Sequence, residues 1–197
     1  MNYLAHAYFS FNNEEALIGN MISDFVKGRR KFDYSPGIQL GISLHRSIDR
    51  FTDEHAATAE AKKFFRPAVG LYAGAFIDIV YDHFLALEEK FWQTTSLQDF
   101  ADQVYHSLFL NEEKLPERFR AMIPYMKSQN WLFNYRLMWG IERSFEGLVR
   151  RAVYLNNSVA ALEVFKREYK ALEQLSHTFL PDVKNFAEVE FDRLLRT

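Results

Sequence analysis

The chain has 197 residues, no cysteine, and 24 lysines and arginines against 26 aspartates and glutamates, for a formal charge of -2. That length suits one domain with a substantial core. The missing thiols exclude disulfides, thiolate metal sites and a cysteine nucleophile, and the near-balanced charge excludes the broad basic field that nucleic-acid binding usually needs.

Taken from the N-terminus, the segment MNYLAHAYFSFNNEEALIGN has no basic region leading into a long apolar one and no small-residue cleavage site. No later run approaches the ~20 apolar residues of a membrane span, so a soluble cytoplasmic protein without a membrane partner is expected. Apolar residues recur at three- and four-residue spacing, alternating β-branched runs are scarce, and only 8 Gly and 5 Pro punctuate the chain. An all-α, single-domain helical bundle follows. The pattern predicts helices over 13–27, 36–52, 54–65, 67–90, 96–110, 116–127, 130–155 with a break, and 157–195 with a break near Pro181. Gly28 reads as a C-cap, Ser35-Pro36 and Arg66-Pro67 as helix starts, and Ser96 as an N-cap with Asp99 three residues on.

Several polar residues fall on faces that should be buried. At about 100° per residue, His45 and Asp49 lie within the apolar arc of the helix over 36–52, beside Ile38, Ile42 and Ile48, while Arg46 and Arg50 lie opposite. The segment Leu71 to Leu87 is apolar on every side yet carries Asp78 and Asp82 one turn apart, with His83 adjoining. Asp24 sits among apolar neighbours in NMISDFV, and His6 in YLAHAYF. Burying an ionised carboxylate costs several kcal/mol unless it is paired, against a typical domain stability of about 5–15 kcal/mol. A divalent ion would compensate the group. Carboxylate and imidazole ligands without thiolate point to manganese, magnesium or iron rather than to a softer site.

The segments MNYLAHAY, GNMISDFVKG, LHRSIDRFTD and FIDIVYDHFLA, in that order, together with NWLFNYR further on, resemble the acyl carrier protein phosphodiesterases. The similarity spans most of the chain, with its specific motifs almost wholly before residue 90. The resemblance implies an HD-domain-like helical fold with a divalent metal held by His and Asp, manganese first and magnesium or iron as alternatives. It also implies hydrolysis of the phosphodiester that joins 4'-phosphopantetheine to a serine of holo-acyl carrier protein. The matching polar residues are His6, Asp24, His45, Arg46, Asp49, Asp53, Asp78, Asp82 and His83.

On this reading Asp24, His45, Asp82 and His83 are the metal ligands, and Asp49 and Asp78 complete the shell or orient the imidazoles. Arg46 is a phosphate clamp and His6 an acid for the leaving group. Asp53 reads as a cap for the next helix, and Trp131, Tyr135 and Arg136 as pocket walls. Lys27, Arg29, Arg30 and Lys31 follow Asp24 directly and form a basic patch suited to an acidic carrier protein. Two competing readings are a related phosphohydrolase acting on a nucleotide or other small phosphodiester, and a non-enzymatic helical binding module. A serine hydrolase is disfavoured, because no Gly-x-Ser-x-Gly elbow appears. Oligomeric state has no signature in the sequence.

Overall fold

Side-chain caps open four of the helices. In the computed structural model, which describes residues 1–196, Asn2 Oδ1 accepts from the Tyr3 amide at 3.0 Å to start α1 (Tyr3–Tyr8). Asn13 Oδ1 accepts from Ala16 at 2.9 Å to start α2 (Glu14–Ile22), whose first turn carries Glu14 and Glu15 against the positive end of the helix dipole. Proline opens α3 (Pro36–Glu54), where its missing N–H is no loss. His55 Nδ1 accepts from Ala57 to cap α4 (Ala56–Val69); Asp53, expected in that role, instead pairs with Lys62 at 2.7 Å.

The remaining helices are α5 (Ala73–Leu87), α6 (Leu97–Leu110), α7 (Glu117–Arg120), α8 (Ile123–Ser128), α9 (Trp131–Asn134), α10 (Met138–Val149), α11 (Val159–Arg167) and α12 (Tyr169–Leu195). Ser96 caps α6 as expected, accepting from Asp99 at 3.1 Å. No strand occurs among the described residues, in keeping with the all-α expectation.

Element boundaries depart from the sequence pattern at the prolines. A helix start at Pro67 does not exist: α4 runs through it and stops at Gly70, whose φ of 57° suits a residue without Cβ. Likewise α12 passes through Pro181 and the break falls at Glu168, because Phe179, Leu180 and Val183 are buried on both sides of the proline. Packing outweighs one lost hydrogen bond there. The expected helix over 13–27 ends at Ile22 and gives way to single 3-10 turns at Ser23–Phe25 and Gly28–Asp33, with Gly28 at φ 59°. Segment 116–127 splits into α7 and α8, and 130–155 into α9 and α10. Helix α1 has no counterpart in the expected set.

Two features position the site. Helix α5 runs through the middle, against α1, α4, α10 and α12. Around it Phe76 meets Phe145 edge-on at 4.8 Å, and Tyr81 stacks on Phe179 at 4.0 Å; each buried ring contributes on the order of 2–3 kcal/mol. The stretch Ala56–Leu87, which spans α4 and α5, is long and apolar enough to cross a membrane by length and composition, a test the sequence reading expected no run to meet. Of its most apolar 18 residues 61% is buried inside the fold, as befits a core element. The second feature is the contact of α2 with α3. A Cβ on Gly19 would collide with the Ile38 carbonyl, and one on Gly41 with the Ala16 carbonyl, so the two backbones meet at a distance only glycine allows.

Candidate metal centre

That close crossing brings Asn20 of α2 against His45 of α3. The Asn20 backbone carbonyl accepts from His45 Nδ1 at 2.8 Å, while its side-chain Oδ1 accepts from His6 Nδ1 of α1 at 3.0 Å. The Asn20 amide nitrogen donates to Ser10 Oγ at 3.2 Å, which fixes which end of the side chain faces His6. A fully buried asparagine thus holds both imidazoles by their Nδ1–H groups. Both Nε2 atoms are turned the same way, and the rings stack with centroids 3.7 Å apart.

What the two Nε2 atoms face is Asp49. Its Oδ1 lies 3.1 Å from His6 Nε2 and its Oδ2 3.1 Å from His45 Nε2. Asp24 Oδ1 is 3.4 Å from His45 Nε2 on the outer side, and the Met1 ammonium lies 3.3 Å from Asp49 Oδ1 and 2.9 Å from Asp78 Oδ1. His6, His45 and Asp49 each offer a ligand atom, all within 4.8 Å of one another, and could hold a metal ion.

Electrostatics expose the problem this group poses. Burial, with His45 beside it, pulls His6 down to about 4, so it is neutral near pH 7 and its Nε2 lone pair points at a carboxylate oxygen. Burial also pulls on His45, but Asp24 and Asp49 outweigh it and lift the ring to about 9. Burial raises Asp49, and the neighbouring His6, His45 and N-terminal ammonium overcome that to hold its carboxyl far below the usual carboxylate range. His45 Nε2 is buried, 3.1 Å from Asp49 and 3.4 Å from Asp24, but without the alignment of a hydrogen bond to either, so the attraction there is mainly one of charge. Once the His45 proton is displaced, two imidazole nitrogens and the Asp49 oxygens converge in a way that fits a divalent cation, the chemistry of hard and borderline ions with N and O donors.

The sign of the pH dependence follows. His45, raised from 6.5 to about 9, stabilises the metal-free fold fully below pH 6.5, and that contribution is lost as pH rises through about 9. A divalent ion displaces the same proton, so its affinity is expected to climb over that window while metal-free stability falls. Thermal melts and metal titrations at pH 6 and pH 9.5 check both; a metal-free stability flat across the window would contradict the assignment.

The structure separates the expected site residues into two groups. It gathers His6, Asp24, His45 and Asp49, with Asp78 one ammonium group away. Asp24 is exposed on a 3-10 turn rather than buried. Asp82 and His83 do not join them. Asp82 is wholly buried and accepts from the backbone amides of Asn2 (3.2 Å), Leu4 (2.8 Å) and Ala5 (3.3 Å), capping α1 from across the core. Burial pushes its carboxyl up to about 7 against the pull of the ammonium and those amides. His83, the next residue, points about 100° away, where its Nδ1 donates to the Tyr135 carbonyl at 2.7 Å and its Nε2 meets the Tyr169 hydroxyl at 2.9 Å.

Arg46 is exposed and donates to the Val26 carbonyl at 2.8 Å, tying the Asp24 turn to α3. Lys27, Arg29 and Arg30 are exposed beyond that turn, and Lys31 donates to Ser43 Oγ at 3.2 Å. Sequence reasoning missed Asn20 and the Met1 ammonium. The available signal for Asn20 was a lone carboxamide in the apolar run ALIGNMI, one turn before Asp24.

Fold and cluster define an all-helical protein with a His–His–Asp group able to hold a metal ion. Comparison with known proteins adds the family. Residues 1–183 match the profile of the acyl carrier protein phosphodiesterases. The chain is similar to the acyl carrier protein phosphodiesterase of Yersinia enterocolitica, 30% identical over 95% of this chain and 98% of that protein. The similarly named proteins of Photorhabdus laumondii and Klebsiella pneumoniae are 31% and 32% identical over 95% of this chain, and over 96% and 98% of theirs. No solved structure matches. The chain belongs to the acyl carrier protein phosphodiesterase family, a family of phosphoric diester hydrolases.

Proposed function

We propose that this protein hydrolyses the phosphodiester linking 4'-phosphopantetheine to a serine of holo-acyl carrier protein, releasing the apo-carrier in the cytoplasm. The observation that carries the reading is the convergence of His6 Nε2, His45 Nε2 and Asp49 in a member of this family. His6, His45 and Asp49 would hold a divalent ion, with Asp24 at the mouth; the donor set suits manganese, with magnesium and iron as alternatives. When bound, such an ion lowers the pKa of water and offsets phosphoryl charge.

The chain's own residues supply the rest. Asn20 fixes both imidazole tautomers. His6 moves from the role of leaving-group acid to that of ligand, because its Nε2 is the atom facing Asp49 and its Nδ1 is committed to Asn20. Asp49 keeps its negative charge across the working pH range. Arg46, with one guanidinium nitrogen on Val26, has others to offer a phosphoryl oxygen beside the Asp24 turn. Attack in line with the departing serine oxygen then requires the diester to enter from that exposed side. The HD-like kinship implied by the motifs belongs to this same proposal.

The test is incubation of purified protein with holo-carrier and manganese, followed by mass spectrometry for loss of the arm. Conversion to apo-carrier is expected, and it should stop on chelation and return on readdition of the ion. No loss of the arm would refute the reading, and turnover of a small phosphodiester or nucleotide instead would establish the related phosphohydrolase. In the same assay Arg29→Glu with Arg30→Glu should raise KM for holo-carrier by roughly tenfold with little change in kcat, the signature of steering by rim charges. An unchanged KM would remove the basic patch from the interface.

A further inference from the structure

An open cleft of about 650 Å³ lies between the start of α1, the α8–α9 turn and the face of α10. Its size is typical of a small-molecule site, and its chemistry is one-sided. Arg143, Arg150 and Arg151 line it and no aspartate or glutamate does. None of the three is in an ion pair with a described residue. Trp131 and Trp139 supply apolar faces, and the Trp131 indole N–H is held by Gln129 Oε1 at 3.0 Å, so that wall is preformed. Carboxamides of Asn2, Gln129 and Asn134 complete the lining.

The first residues of the chain link the cleft to the His–His–Asp group. Asn2 lines the cleft, and its neighbour Met1 has its ammonium on Asp49 and Asp78. Tyr3 also lines it, and its phenol, pushed up to about 12 by burial, feels the charge of both Arg151 in the cleft and Asp24 beside the centre.

We propose that this cleft receives the phosphorylated pantetheine arm. The inference rests on the phosphodiesterase reading and adds the place and the residues. Guanidinium groups match the phosphate through charge-assisted, bidentate hydrogen bonds. The carboxamides match the two amide bonds of the arm, and the tryptophans match its branched methyl groups. Arg143, Arg150 and Arg151 are binding residues on this assignment; they hold the phosphorylated arm once the centre has cleaved it from the carrier.

The experiment titrates 4'-phosphopantetheine, and separately unphosphorylated pantetheine, into the unmodified protein and into Arg143→Ala, Arg151→Ala and Gly147→Trp. Gly147 lines the cleft on α10, and a Cβ there meets nothing within 4 Å, so a side chain at this position starts in open space and a tryptophan is the choice to fill the cleft. The phosphorylated arm should bind about tenfold or more tightly than pantetheine, each arginine variant should lose about tenfold, and Gly147→Trp should bind neither, all three variants melting within a few degrees of the parent. Equal binding of the two ligands, or undiminished binding by Gly147→Trp, would overturn the proposal. So would an equal loss of affinity for apo-carrier, which has no arm. If the parent cleaves holo-carrier but these titrations show no binding, the cleft assignment falls alone; if the arm binds but no carrier is cleaved, the function falls and the cleft stands.

Discussion

Replacing Asp49 by asparagine is expected to lower divalent-ion affinity and holo-carrier hydrolysis by at least about a hundredfold, beyond the 10–100-fold seen when a supporting residue is lost. Among the described residues Asp49 is the one carboxylate within 3.1 Å of both His6 Nε2 and His45 Nε2, and it carries the negative charge that a cation between them would meet. Asparagine keeps the size but turns one of the two positions into an N–H donor and removes the charge. The fold should survive, since α3 is fixed by Ile38, Ile42, Leu44 and Ile48 on its buried face. Calorimetric metal titration and the mass-spectrometric assay give the two readouts. Parent-like metal binding in a folded Asp49→Asn protein would show that the cluster is a structural polar group, as in a binding module.

Asp82→Ala carries the second large effect, on stability. Three amides at the start of α1 lose their acceptor, and each buried unsatisfied donor costs about 1–3 kcal/mol. Partial relaxation toward Asn2, which already caps Tyr3, leaves an expected loss of about 3 kcal/mol, or roughly 6–12 °C in melting temperature for a chain of this size. Asp82→Asn, which retains one acceptor oxygen, should lose less. A ligand role for Asp82 would give the opposite pattern, with the melting temperature intact and the ion lost at parent-like stability. Thermal denaturation in chelator separates the two outcomes.

The helical class, α3 with its buried arc and α6 with its cap could be read from local signals. His45 and Asp49 were found because a 3.6-residue period places them among isoleucines, and that period is a property of a single helix. The errors lie where partners come from elsewhere. Asp82 and His83 are adjacent on a helix buried all round, so periodicity says that both are inside without saying what each meets; α1 and the α9–α12 side supply those partners. Asp24 was expected inside because its neighbours are apolar, but a 3-10 turn after Ile22 swings it outward. Proline failed as punctuation at 67 and 181 for a related reason: tertiary packing over a long buried face outweighs a local preference. Arg136, expected in the pocket wall with Trp131 and Tyr135, lies over the Phe133 ring at 5.2 Å instead.

The meeting of α2 and α3 at Gly19 and Gly41 does more than close the core. Asn20 follows Gly19 directly, and its carbonyl decides which nitrogen of His45 keeps its hydrogen when the other gives its proton up. The spacing between two helices therefore acts as a gauge for the protonation of one imidazole. A single methyl group added at either glycine would work as a shim: it would lift the carbonyl off Nδ1 and free the ring to exchange tautomers. In such a protein the chemistry would fail at a temperature where circular dichroism still reads a folded bundle.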